Sequence, residues 1–262
     1  MTGIEGDDVG LAIKLADAAG TVIRRHFRTS FEVANKADES PVTVADRMAE
    51  EVMRRLLAEE RPQDGVFGEE FGHQAGSNGR LWVLDPIDGT RAFLVGKPIF
   101  GTLIALTVEG VPQLGVIDQP ILRERWVGCR GETTSFCGRR ATVRSCARLI
   151  EARFVTTTPE VFETTQEKAA LDHMIAATAS TSFGGDCYGY GLVASGYADL
   201  VVEAGLKPYD FLAIVPVIEG AGGTMTDWRG QPLSIESDGQ VIAAGDGRVH
   251  REALELVGGR VT

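Results

Sequence analysis

The segment Trp82-Val83-Leu84-Asp85-Pro86-Ile87-Asp88-Gly89-Thr90 carries the strongest local signal in this chain. Its apolar start predicts a strand that delivers Asp85 at its end, and Pro86 favours an extended backbone there. Asp88 follows three residues later and can reach the same cation if the chain turns, which Gly89 permits. The segment therefore predicts a strand and a loop whose carboxylate oxygens suit a hard cation such as Mg²⁺.

Thr90 adds a hydroxyl and a backbone amide to the same loop. If a helix begins here, its first amides form a site for a phosphate group. The alternative is a surface β-turn, because Asp, Pro and Gly are the residues that dominate turns. The segment by itself leaves both interpretations open.

Composition narrows the class of protein. The 262 residues carry a net charge of −11, with 44% hydrophobic and 24% charged residues, which is typical of a soluble globular protein. The acidic balance disfavours binding to nucleic acid or to an anionic membrane surface. The chain opens without a signal-peptide pattern, and its longest apolar stretch, 98–108, is shorter than a membrane span of about 20 residues. We therefore expect a cytoplasmic protein.

The first half of the chain predicts two helices followed by an antiparallel sheet. Apolar residues every fourth position from Leu11 to Phe27 predict the first helix. Thr43 and Asp46 resemble a capping box at the start of the second, and residues 31–33 between the helices are expected to be extended. Short apolar runs predict strands, including a hairpin, at 66–67, 81–84, 101–108, 114–117 and 124–129.

In the second half, predicted strands and helices alternate, which is typical of an α/β layer. The strands are expected at 154–157, 200–203, 224–226 and 241–244, and the helices at 166–177, from 189, at 210–217 and at 249–257. We expect two subdomains that pack as one body, with residues 1–142 forming an α+β unit and residues 143–262 an α/β unit.

Other acidic residues lie at the predicted ends of elements. Glu69 and Glu70 follow the strand at 66–67, and Asp210 begins a predicted helix. Each has a structural alternative, a solvated turn for the first pair and a helix N-cap for Asp210. Acids at strand ends and helix starts are where ligand sites of α/β proteins collect, although spacing along the chain does not prove that these acids converge.

Taken together, these motifs resemble the inositol monophosphatase superfamily. The matching segments are Gly68-Glu69-Glu70, Asp85-Pro86-Ile87-Asp88-Gly89-Thr90, and Tyr209-Asp210-Phe211-Leu212-Ala213 followed by Glu219-Gly220-Ala221-Gly222-Gly223. Tyr209 is a departure, since the family usually has Trp there. The resemblance covers nearly the whole chain. It implies a layered α-β-α-β-α sandwich, commonly dimeric, and a Mg²⁺-dependent phosphomonoesterase.

The resemblance also implies a set of oxygen ligands for two Mg²⁺ ions. The first ion would take Glu69, Asp85 and the backbone carbonyl of Ile87, and the second would take Asp85, Asp88 and Asp210. Glu70 would support a weaker third ion or its waters.

Two further residues are implied to act on the attacking water. Asp46 would pair with Thr90, and the two would orient and deprotonate that water. The backbone amides of Gly89 and Thr90 would hold the phosphate. A direct attack by water fits a sequence in which we identify no nucleophilic residue.

Several segments depart from the inositol enzymes and resemble the histidinol-phosphate phosphatase branch, which acts at the penultimate step of histidine synthesis. They are Arg91-Ala92-Phe93 and the stretches 36–43, 184–190 and 202–209. We expect Asp186 and Glu203 to flank the leaving alcohol, because carboxylates suit the cationic groups of histidinol better than a neutral polyol. As alternatives, Asp186 could cap a helix, and Glu203 bonds hydroxyl groups in the inositol enzymes.

Other substrates remain open at this point. Inositol-1-phosphate and 3′-phosphoadenosine 5′-phosphate are the competing esters, and a sugar bisphosphate is a weaker one. A non-catalytic regulatory or RNA-associated member of the fold is an alternative of another class. Loss of a metal ligand would indicate such a member, whereas this sequence has all the acids.

Overall fold

The computed structural model describes residue 4, residues 7–29 and residues 41–258, without the side chains of residues 41–43. The predicted extended segment at 31–33, most of the stretch 36–43 and the side chain of Thr43 lie outside this description. No helix within the described ranges is long and apolar enough to cross a membrane.

The described ranges contain helices of very different length. They are α1 (Asp8–His26), α2 (Pro41–Glu60), α3 (Thr90–Leu94), α4 (Thr165–Ala177), α5 (Asp186–Ala194), α6 (Pro208–Phe211), α7 (Ile214–Gly220) and α8 (Gly247–Val257), with 3-10 turns at Leu149–Glu151 and Pro159–Val161.

The strands form two sheets. The strands of the first are β1 (Gly65–Gly68), β2 (Gly72–Gln74), β3 (Arg80–Asp88), β4 (Gly101–Val108), β5 (Val111–Gln119), β6 (Glu124–Cys129), β7 (Ser135–Phe136) and β8 (Arg139–Arg140), in the order β2-β1-β3-β4-β5-β6-β7-β8. Those of the second are β9 (Arg153–Thr156), β10 (Ser180–Phe183), β11 (Leu200–Glu203), β12 (Thr224–Asp227) and β13 (Val241–Ala244), in the order β10-β9-β11-β13-β12. The first sheet is antiparallel except where β1 pairs with β3, and the second is mixed.

Strand β3 shows how the layers are built, because it is buried on both faces. Side chains alternate between the two faces of a strand. Trp82 and Leu84 pack into one core with α1 and α2, while Val83 packs into another with α5, α7 and the second sheet. The first sheet is therefore covered by helices on one side and shares a second helical layer with the other sheet.

The outer face of the second sheet has its own core. Phe154 and Leu200 pack there against Leu171 of α4 and Val249 of α8. The result is helix, sheet, helix, sheet, helix, which confirms the predicted layered α+β fold. The last strand of the first sheet ends at Arg140 and the second sheet begins at Arg153. A division of the chain at residue 142 stays a prediction.

Three element predictions were wrong in detail. Helix α2 begins at Pro41, so residues 43 and 46 lie inside it and do not form a capping box at its start. Helix α5 begins at Asp186 and not at Gly189. The chain turns at Gly184 (φ 83°), and Gly185 is the N-cap of the helix. The helix predicted at 210–217 is two short helices, α6 and α7, and Asp210 lies inside the first of them. A proline at the first helical position starts α6 earlier.

Candidate active site

The metal loop predicted after β3 is in fact the end of β3, which runs on to Asp88. Its pairing with β4 joins Asp85 to Leu103 and Asp88 to Gly101, so three steps on one strand match two on the other. This extra residue is a β-bulge. Residues three apart in a regular strand point to opposite faces, and the bulge resets that alternation. It lets Asp85 and Asp88 serve one site, and the surface-turn alternative is wrong.

Three carboxylates converge at this bulge. Asp85, Asp88 and Asp210 each offer an oxygen atom, and these atoms lie within 4.8 Å of one another. Backbone amides orient two of the three acids. The amide of Cys187 donates to Asp88 Oδ2 at 2.6 Å, and that of Lys207 donates to Asp210 Oδ2 at 2.6 Å. The predicted convergence of acids from distant parts of the chain is therefore present.

The electrostatics of this cluster fit a divalent cation. Asp85 is 2% exposed, and its Oδ1 atom is buried without a hydrogen-bond partner among the described residues. Burial raises the pKa of Asp85 well above its ordinary value, and the neighbouring charges of Glu69, Asp88 and Asp210 raise it further. A buried charge needs a partner. Crowded carboxylates with oxygen atoms left unpaired are the donor set that Mg²⁺ prefers.

Glu69 and Glu70 lie in the turn between β1 and β2. Glu69 lines the same cavity as the three-acid cluster, and burial together with the charge of Asp210 raises its pKa. The backbone amide of Glu69 donates to the carbonyl of Leu84 at 3.2 Å, which ties this turn to β3 just before Asp85. Glu70 is half-buried, and burial and the charge of Glu50 raise its pKa.

Gly89 and Thr90 form the N-terminus of α3, in line with the helix considered at this point. Gly89 has a φ of 89°, and a Cβ there would lie 3.1 Å from Asp186 and from the backbone of Phe100, so glycine fits this position best. The hydroxyl of Thr90 donates to the carbonyl of Ile87 at 3.3 Å. Ile87 near the end of β3, Gly89 and Thr90 all line the cavity.

Asp46 lies on α2 behind the loop. It is 3% exposed, and its Oδ1 atom has no hydrogen-bond partner within the described part of the chain. Burial, with the charges of Glu69, Glu70 and Glu50, raises its pKa to about 9, although the backbone amide of Ile87 acts in the opposite direction. Its pairing with Thr90 stays a prediction, since the Thr90 hydroxyl bonds Ile87 here.

The wall of the cavity that α5 and β11 form holds both predicted substrate residues, Asp186 and Glu203. Glu203, 2% exposed, accepts hydrogen bonds from the amide of Thr157 at 2.8 Å, from the Thr157 hydroxyl at 2.5 Å and from the Tyr190 hydroxyl at 3.0 Å. Burial raises its pKa to about 7 against these bonds. Burial likewise raises the pKa of Asp186 to about 6, while Lys97 and Arg91 act to lower it.

Several residues of the cavity were missed by sequence reasoning. Its volume is about 170 Å³, and the additional lining residues are Thr157, Val161, Cys187, Tyr190 and Leu206. Four of them had a signal in the sequence. Thr157 ends a predicted strand, Cys187 and Tyr190 lie in the segment 184–190, and Leu206 lies in the segment 202–209. Val161 had none.

Comparison with known proteins assigns the chain to a family. The model of the inositol monophosphatase family matches residues 8–260. The chain belongs to this family. It is therefore a phosphatase of the inositol monophosphatase family. The acidic cluster fits the Mg²⁺ dependence that is general among the members of this family.

The relatives of this chain carry names that differ in substrate. A bifunctional phosphatase, IMPL2, of the Arabidopsis thaliana chloroplast is 50% identical over 250 residues, covering 92% of this chain and 72% of its own length. A histidinol-phosphatase of Chlorobaculum parvum is 40% identical, covering 90% and 92%. A solved inositol monophosphatase of Zymomonas mobilis superposes with a TM-score of 0.90 at 51% identity, covering 96% and 98%.

Proposed function

We propose that this member of the family is a Mg²⁺-dependent phosphomonoesterase that hydrolyses L-histidinol phosphate to L-histidinol and phosphate. The observation that carries the proposal is the pairing of two walls in one cavity. One wall has the acids Asp85, Asp88 and Asp210, and the other has Asp186 and Glu203. The same cavity therefore offers ligands for a cation and acids that suit a cationic alcohol.

The metal wall would hold two ions. Glu69, Asp85 and the carbonyl of Ile87 would bind one Mg²⁺, and Asp85, Asp88 and Asp210 the other, with Glu70 supporting a third ion or its waters. Bound Mg²⁺ supplies a more acidic water and neutralises charge on the phosphoryl group.

The chain's own residues would direct the attack. Asp46 and Thr90 would orient the water and take its proton, and the amides of Gly89 and Thr90 would hold the phosphate at the start of α3. The water oxygen would attack phosphorus, the bond from phosphorus to the alcohol oxygen would break, and the leaving alcohol oxygen would take up one proton in place of the one that the water gave to Asp46 and Thr90.

Asp186 and Glu203 would bind the leaving alcohol. Glu203 is buried, and a charge-assisted hydrogen bond from an ammonium or imidazolium group is strong in a buried place. The histidinol-phosphatase that is 40% identical to this chain supports the same substrate. We also expect a homodimer in the cytoplasm. Size-exclusion chromatography with light scattering would test whether the protein is a dimer.

Inositol-1-phosphate is the second candidate. The Thr157 and Tyr190 hydroxyls around Glu203 are neutral and would suit a polyol, and the Zymomonas mobilis protein is described as an inositol monophosphatase. The bifunctional relative shows that one chain of this family can carry two activities.

The experiment is a phosphate-release screen with Mg²⁺. L-histidinol phosphate, inositol-1-phosphate, 3′-phosphoadenosine 5′-phosphate and a sugar bisphosphate are compared at equal enzyme concentration. We expect the highest kcat/KM for histidinol phosphate. A higher value for any of the other three would refute the substrate assignment, and the absence of turnover with all four would favour a non-catalytic member.

A further inference from the structure

Helix α2 carries a second buried acid one turn after Asp46. Glu50 is 0% exposed and does not line the cavity. A carboxylate in such a place is costly unless hydrogen bonds satisfy it. Hydrogen bonds to Glu50 come from the turn that carries Glu69 and from a neighbour on α2.

The contacts of Glu50 enclose that turn. Its Oε2 atom accepts a hydrogen bond from the amide of Glu70 at 2.8 Å, and Oε1 accepts one from the amide of Phe71 at 3.3 Å. Arg54 Nε donates to Oε1 at 2.7 Å, and another nitrogen of the same guanidinium donates to the carbonyl of Gly72. Glu50 and Arg54 thus hold the two amides and the far end of the turn.

Gly68 makes this approach possible. A Cβ at Gly68 would lie 1.9 Å from Glu50 Oε1, so any other residue would push the carboxylate away. Gly68 and Gly72 face each other where β1 pairs with β2, and the turn between them is therefore short. Its other anchor is the hydrogen bond from the Glu69 amide to Leu84 on β3.

We propose that Glu50 and Arg54 are positioning residues for the Glu69 side of the metal centre. They fix the turn so that the Glu69 carboxylate stays beside Asp85 and Asp210, and neither residue touches the substrate. This inference rests on the proposed function, because it requires Glu69 to be a metal ligand. Groups that orient metal ligands typically change metal affinity by about 10–100-fold when they are replaced.

The test is calorimetric titration of the chelator-stripped protein with MgCl₂. Glu50→Gln keeps the size of the side chain but leaves only one acceptor oxygen for two amides and a guanidinium, so we expect Mg²⁺ to bind about tenfold more weakly. Arg54→Lys retains the positive charge but loses the planar guanidinium that bonds both Glu50 and Gly72, so Mg²⁺ should again bind more weakly. Glu51→Gln, at the adjacent exposed position, is the control and should bind like the wild type.

A second readout separates positioning from general damage. At low Mg²⁺ the phosphatase activity of Glu50→Gln should fall, and high Mg²⁺ should restore it, whereas an unfolding defect is not rescued in this way. Wild-type Mg²⁺ affinity in Glu50→Gln would overturn the inference. If that variant fails to fold, wild-type affinity in Arg54→Lys would overturn it. A wild-type protein that binds no Mg²⁺ would overturn the proposed function as well.

Discussion

Two buried acids of the cavity, one on each wall, differ in how their oxygen atoms are satisfied. On the β3 wall, Asp85 has a buried oxygen with no hydrogen-bond partner, and its neighbours are other carboxylates. On the wall formed by α5 and β11, Glu203 is equally buried and accepts three hydrogen bonds from Thr157 and Tyr190. Asp85 therefore keeps a buried oxygen for a ligand from outside the chain, whereas Glu203 has its hydrogen-bond donors within the chain.

This difference is the one expected if Asp85 binds a metal ion and Glu203 binds the substrate. Unpaired buried oxygen atoms cost free energy in the folded chain, and a bound cation would offset that cost. Glu203, in contrast, is held in one orientation and can offer its remaining lone pairs to a ligand. We therefore expect substitutions on the two walls to differ in size and in kind.

The largest effect should come from Asp85→Asn. Removing a shared Mg²⁺ ligand should lower turnover by at least about two orders of magnitude, more than the loss of a residue that merely orients a ligand. The metal-free variant should also melt at a higher temperature than the metal-free wild type, because it relieves the crowding of like charges. Near-normal turnover at saturating Mg²⁺ would refute the ligand assignment, and Glu236→Gln, at an exposed position, is the control.

Thr90→Ala and Asp46→Asn should come next. They act on a water whose charge changes mainly in the transition state, so kcat should fall more than KM changes, by about 10²-fold. Thr90→Ser keeps the hydroxyl and should retain most of the activity. Steady-state kinetics at saturating Mg²⁺ measure both constants. A rise in KM at unchanged kcat would assign these residues to phosphate positioning or to the fold.

Smaller effects are expected on the substrate wall. Asp186→Asn or Glu203→Gln removes a charged hydrogen bond worth roughly 1.5–3 kcal/mol, which is about a tenfold to hundredfold loss of kcat/KM for histidinol phosphate. An aryl phosphate has no cationic group and should lose much less. Equal losses on the two substrates would mean that these acids serve the metals or the fold.

The smallest effect is on stability against pH. Asp46 and Asp210 have folded-state pKa values of about 9 and about 6, both raised from 3.8. Their contribution to stability is therefore full below about pH 4 and is lost progressively above it, by about pH 6 for Asp210 and by about pH 9 for Asp46. In chelator, Tm should fall by a few degrees over this range, and Mg²⁺ should restore it. A Tm fall of the same size in Asp46→Asn would exclude Asp46 as a source of the effect.

The elements of the fold were largely predictable because their patterns are local. The period of four in α1 and the apolar runs of β4 and β11 follow directly from the side chains that face a core. Strand β10 was missed because most of its residues are exposed at a sheet edge and show no apolar pattern. Short pairings such as β7 with β8 have too few residues to show one.

The candidate site was predictable in its acids and less so in its geometry. The bulge between Asp85 and Asp88 depends on the register with β4, which the residues of β3 do not reveal. The bonds of Glu203 join β11 to Thr157 and to α5, and the contacts of Glu50 join α2 to the turn after β1. Such long-range hydrogen bonds have no signal in the spacing of residues along the chain.

The most direct measurement is the rate of phosphate release from L-histidinol phosphate as Mg²⁺ is added back to the chelator-stripped protein. We predict no turnover in chelator and a saturable recovery with Mg²⁺, because the oxygen atoms of Asp85, Asp88 and Asp210 lie within 4.8 Å of one another, close enough to share one cation. Asp85→Asn should show little recovery at any Mg²⁺ concentration. Equal rates with and without Mg²⁺ in the wild-type protein would contradict a metal-dependent site on this wall.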